Sequence, residues 1–121
     1  MGQYTKLLNF IGYFENKNTK YGKWVREPGT FPYFNYTPKF NSFIHCFYET
    51  DLSKQDYLEY LEKHVEEQYI DVIEQADMEL LKALFTYYVR QERFIEGLWA
   101  GAAKDGVFLK LLKRLEELEG K

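Results

Sequence analysis

Residues 80–103 read LLKALFTYYVRQERFIEGLWAGAA, and this stretch decides the fold. At about 100° of rotation per residue, Leu80, Leu81, Leu84, Phe85 and Tyr88 share a helical face with Ile95, Leu98, Trp99, Ala102 and Ala103. Four consecutive polar residues, Arg90-Gln91-Glu92-Arg93, cut the stripe, and Gln91 and Glu92 fall in the middle of its apolar face. A carboxylate aimed at a core is costly unless it is paired or the helix breaks there. An unbroken helix from Met78, capped by Asp77, to Lys104 would be about 40 Å long at 1.5 Å per residue, more than the diameter expected of a compact domain this size. The pattern predicts a bend or break around residues 91–97 that brings ionic groups to an accessible hollow.

Downstream, Asp105-Gly106 is a stop signal, and Val107, Phe108, Leu111, Leu112, Leu115 and Leu118 recur at helical spacing in a closing helix. Upstream, Thr37-Pro38 starts a helix to about Glu49, because a threonine hydroxyl caps free amides and proline at the first position loses no needed hydrogen bond. Phe40, Phe43, Ile44 and Phe47 form its inner arc, with His45 pointing away and Cys46 on the flank. Residues 3–14 predict a first helix carrying Tyr4, Leu7, Leu8, Ile11 and Phe14. Ser53 is placed to cap a further helix with Leu58, Leu61 and Val65 inward and Asp56, Glu59, Glu62 and Glu66 outward. Glu27-Pro28-Gly29-Thr30 fits a type II turn, so Lys23 to Arg26 can face Phe31 to Phe34 in a small hairpin, with Pro32 confined to an edge. The expected fold is an all-α, single-domain bundle over residues 1–121, of about five or six helices, with room for one small β-hairpin near residues 23–34.

Composition narrows the function. Of the 121 residues 45% are apolar and 19% aromatic, which favours a packed core over a disordered chain. The single cysteine, Cys46, leaves no internal disulfide and no cysteine-based zinc cluster, and makes a reducing, cytoplasmic setting the simplest expectation. No stretch of eighteen apolar residues occurs and the first residues lack a signal-peptide pattern, so neither membrane association nor secretion is expected. Residues 49–79 hold eleven acidic side chains against two basic ones. Such a block repels phosphate backbones, and the other basic residues are scattered, which argues against nucleic acid as a partner.

Few residues suggest chemistry. His64 and Glu67 share a helix face, but His45 is the only other histidine and no second pair completes a metal site. No nucleophile elbow or glycine-rich phosphate loop is present, and no cofactor is implied. Glu96 follows Glu92 and Arg93 by one turn, so a local ion-pair network is available. If the helix instead breaks, Arg90 and Arg93 can turn toward an anionic ligand beside Glu92, Glu96 and Gly97. Tyr33 and Tyr36 of the aromatic segment Phe31-Pro32-Tyr33-Phe34-Asn35-Tyr36 are the remaining candidates, as stacking surfaces or as loop packing.

The segments Phe31-Pro32-Tyr33-Phe34-Asn35-Tyr36-Thr37-Pro38, of the form FPYxxYxP, and Arg90-Gln91-Glu92-Arg93-Phe94-Ile95-Glu96-Gly97, of the form RxERFxEG, are followed by Gly106 and Leu111-Leu112-Lys113-Arg114-Leu115. Together they resemble a family of small uncharacterised bacterial proteins described only as a domain of unknown function, over residues from about 4 to 118. Arg93, Phe94 and Gly97 are the most specific part of the likeness, and Leu98 stands where the family often has histidine. The resemblance implies a bacterial, cytosolic, single-domain protein and carries no mechanism.

The leading expectation is a binding or regulatory module recognising a protein or a small anionic ligand, with Arg90, Glu92, Arg93, Glu96, Gly97, Tyr33 and Tyr36 as its site. The alternative is a small enzyme in which Glu92 or Glu96 is the acid or base and Arg93 holds an anionic substrate. A homodimer through Val107, Leu111, Leu115 and Leu118 is a third use of the sequence, although under two heptads favour packing within the chain.

Overall fold

The computed structural model describes residues 2–120, and in it the helix of the 80–103 stretch is broken where the sequence predicts. In chain order the elements are α1 (Thr5–Leu8), α2 (Ile11–Glu15), β1 (Gly22–Val25), β2 (Tyr33–Tyr36), α3 (Pro38–Tyr48), α4 (Tyr57–His64), α5 (Tyr69–Val72), α6 (Met78–Arg90), α7 (Leu98–Lys104) and α8 (Val107–Glu119). Single 3₁₀ turns at Ile73–Gln75 and Gln91–Arg93 continue α5 and α6. The fold is helical, with one small antiparallel hairpin.

The core is aromatic. Phe40, Phe43 and Phe47 from α3, Phe85 from α6 and Phe108 from α8 are fully buried. Phe43 meets Phe108 at 5.3 Å between ring centroids, Phe47 meets Phe85 at 5.0 Å and Phe14 meets Phe43 at 4.8 Å, within the range of favourable edge and offset contacts. α8 packs against α1, α2, α6 and α7. Val107, Leu111 and Leu115, considered above as a seam between two copies, are buried in this core, and only Leu118 remains half-buried at its margin.

Two caps form as the sequence predicts: the Thr37 hydroxyl accepts the Phe40 N–H at 3.3 Å and the Asp77 carboxylate accepts the Leu80 N–H at 2.8 Å. The first helix does not form in one piece. It divides into α1 and α2, and Tyr4, Leu7, Phe10 and Phe14 are buried while Leu8 and Ile11 are only partly covered. The helix expected from Ser53 begins instead at Tyr57, with Tyr57 and Leu61 inward and Leu58 47% exposed. Buried Thr86 fastens the segment that precedes this helix. Its hydroxyl accepts the Lys54 N–H at 3.0 Å and lies 3.2 Å from the Leu52 carbonyl, which binds residues 52–54 to α6 as a loop.

The hairpin forms in a different register. Lys23 pairs with Asn35 and Trp24 with Phe34, so the connection runs from Arg26 to Pro32, and Pro32 precedes the strand. The turn inside that connection closes as predicted, with Thr30 N–H to Glu27 carbonyl at 3.2 Å and Gly29 at φ 81°. A one-residue slip would interchange the faces of a strand. The observed register gathers Trp24, Phe34 and Tyr36 on one face, with Trp24–Phe34 and Phe34–Tyr36 centroids 5.5 and 4.5 Å apart. That face meets α7 through Tyr36, whose ring lies 5.0 Å from Trp99.

Candidate functional site

The break between α6 and α7 depends on glycine. Gly97 holds φ 85°, a left-handed conformation that residues with a Cβ rarely adopt. A Cβ there would also stand 2.8 Å from the Trp24 ring. The turn leaves the first amides of α7 without intrahelical partners, and Glu92 supplies acceptors for them. Its Oε2 accepts the Gly97 N–H at 2.7 Å, and its Oε1 accepts the Trp99 N–H at 2.8 Å and the Tyr36 hydroxyl at 2.8 Å. Tyr36 in turn accepts the Ala100 N–H at 3.1 Å. The carboxylate that looked misplaced on an apolar face is therefore the cap of the following helix. Burial, and then the hydrogen bond to Glu92, push the Tyr36 hydroxyl well above the ordinary tyrosine range, so it remains a donor.

The neighbours complete the junction. Glu96 turns to the hairpin, where its Oε2 accepts the Phe34 N–H at 2.9 Å. The Trp99 indole donates to the Val89 carbonyl at 2.9 Å, satisfying the end of α6. The ion-pair network available on a continuous helix is absent among the described residues, because the break carries Glu96 away from the arginines. Arg90 lies 5.8 Å from the Tyr57 ring centroid and Arg93 5.1 Å from that of Phe94, and neither meets a carboxylate among the described residues.

Arg90, Glu92 and Arg93 line a hollow of about 560 Å³ together with Ile44, Tyr48, Val89 and Trp99. Ile44 and Val89 are buried and make an apolar floor, whereas Tyr48 and Arg93 are exposed at the rim. A second, larger groove of about 870 Å³ runs between β1, the end of α2 and α7; Gly97 lines it with Tyr21, Gly22, Trp24, Lys17, Lys20 and Lys104. The candidate residues thus divide. Three face the hollow, Gly97 faces the groove, Glu96 and Tyr36 bind the hairpin to the junction, and exposed Tyr33 is found in the lining of neither. Tyr48, Trp99 and the three lysines were missed by sequence reasoning. Only the phase of Trp99 on the apolar stripe gave any signal; the others come from elements whose mutual placement is tertiary.

The sequence profile described as "Family of unknown function (DUF6508)" matches residues 2–121. The chain belongs to this family. In this DUF6508 protein the segments behind the resemblance meet at one junction, Tyr36 and Phe34 from the first and Glu92, Glu96 and Gly97 from the second. Comparison with curated proteins finds no match, and comparison with solved structures finds none. No helix of this DUF6508 chain, among the described residues, is long and apolar enough to cross a membrane.

Proposed function

We propose that the protein is a non-enzymatic binding module for a small anionic ligand with an apolar body, seated in the hollow beside α6. One observation carries this reading: Arg90 and Arg93, without a carboxylate partner among the described residues, border a hollow floored by Ile44 and Val89. A guanidinium offers a planar fork of donors suited to a carboxylate or phosphate, and the floor suits the apolar part. The three donors on Glu92 and the Phe34 amide on Glu96 support a structural role for both glutamates over proton transfer. A cytoplasmic setting, expected from the lone Cys46, belongs to the same reading.

Phenyl phosphate and benzoate are suitable probes, with binding followed by tryptophan fluorescence and by the rise in melting temperature. Saturation near one hundred times Kd should stabilise the protein by about 2.7 kcal/mol. Arg93→Ala should remove that rise while leaving the ligand-free melting temperature nearly unchanged, since Arg93 is exposed. Absence of binding to the parent protein, or equal binding by the variant, would overturn the reading.

A further inference from the structure

The two edges of the hairpin differ. Thr37 N–H donates to the Tyr21 carbonyl at 3.0 Å, so the antiparallel alternation makes 21/37, 23/35 and 25/33 the hydrogen-bonded pairs. The backbone groups of Phe34 therefore point away from β1, and the Phe34 N–H is taken by Glu96. On β1 the groups that point outward belong to Gly22 and Trp24, and they have no partner among the described residues. Gly22 and Trp24 also line the larger groove, whose lining includes three exposed lysines, Lys17, Lys20 and Lys104, that form no ion pair among the described residues. The one acidic side chain of the lining, Glu15, is paired with Lys113 at 3.3 Å.

An unpaired strand edge beside a groove is a template for another extended chain. We propose that an extended acidic segment of a partner protein adds a third strand to β1, donating to and accepting from the backbone of Gly22 and Trp24. Alternate side chains of the added strand fall on the face shared by Trp24 and Phe34, over the small residues Ala100 and Gly101 of α7. Acidic side chains on that face reach Lys17, Lys20 and Lys104, which line the same groove, while the side chains between them point to the opposite face. Charge complementarity selects the partner: the lysines attract a negative strand and repel a basic one. This surface is separate from the arginine hollow, and either can exist without the other.

The probe is an acetylated, amidated hexapeptide of alternating valine and glutamate, titrated into the whole protein by amide NMR and hydrogen exchange. Binding at about 1 mM or below should shift the Gly22 and Trp24 amides and slow their exchange. The double variant Lys20→Glu, Lys104→Glu should weaken binding by about tenfold or more with the free protein's melting temperature unchanged, since both side chains are exposed. A peptide N-methylated at the residues that face β1 should lose binding, because it cannot donate to the edge. The proposal is overturned by no binding, by equal binding of the N-methylated peptide, by equal binding of the valine-lysine counterpart, or by shifts confined to other residues. It is overturned equally if tripolyphosphate or oligo(dT) reproduces the Gly22 and Trp24 shifts and competes the peptide away, which would make the groove an anion or nucleic-acid site.

Discussion

Replacing Glu92 tests the junction most directly. Its two oxygens receive two backbone N–H groups and one phenol at 2.7–2.8 Å. Hydrogen bonds to a charged group contribute about 1.5–3 kcal/mol each in net terms, so simple addition for the three gives roughly 4.5–9 kcal/mol. That total is too high, because Glu92 is only part-buried and water can replace some of the acceptor, and because contacts sharing one side chain are not additive. About 3 kcal/mol is the expected loss for Glu92→Ala, a substantial share of the roughly 5–15 kcal/mol that holds a domain together. At about 2.1 cal/mol/K of unfolding entropy per residue, a loss of that size lowers the melting temperature by roughly 12 °C. Glu92→Gln keeps one acceptor oxygen and should lose about half as much. Urea unfolding measures both, and a cycle with Tyr36→Phe isolates the phenol contact, for which about 1 kcal/mol of coupling is expected. A Glu92→Ala protein within about 0.5 kcal/mol of the parent, the range of an ordinary surface substitution, would refute the capping role.

Gly97→Ala should cost about 2–3 kcal/mol by thermal or urea unfolding, since the left-handed backbone alone costs roughly 1–2 kcal/mol and the new methyl would press on the Trp24 ring; Gly101→Ala, whose Cβ would meet open space, is the control. At high pH the fold should weaken as unfolded tyrosines lose protons that the native state retains. Burial first, and then neighbouring Tyr87, push the Tyr88 hydroxyl up to about 12, so its contribution is complete below the ordinary tyrosine value of 10.0 and is lost as pH rises toward 12. Urea midpoints across that window should fall, and less steeply in Tyr88→Phe.

The helical parts were legible because their signals are local. Threonine before proline, aspartate three residues before a free amide, and leucine or phenylalanine at spacings of three and four each state a preference that neighbouring residues satisfy. The interruption at Arg90–Arg93 was legible for the same reason, since an acidic residue on an apolar face conflicts with one continuous helix. Its resolution was not. The carboxylate of Glu92 reaches Tyr36, 56 residues earlier, and no local pattern encodes that meeting. The contact between Lys54 and Thr86 was likewise hidden, because its two residues lie 32 positions apart.

From its residues alone this protein was bound to be a helical domain with phenylalanines in its core and a break around residues 91–97, with room for a small hairpin before Thr37, because periodicity, caps and breakers act over a few residues. Tertiary structure decided the register of the hairpin, the conversion of Glu92 from a liability into a cap, and the separation of the arginines in one hollow from the lysines in another groove. Those outcomes depend on which surfaces meet, and the energy of a hydrogen bond or a buried ring is realised only when distant segments arrive within about 3–5 Å of each other.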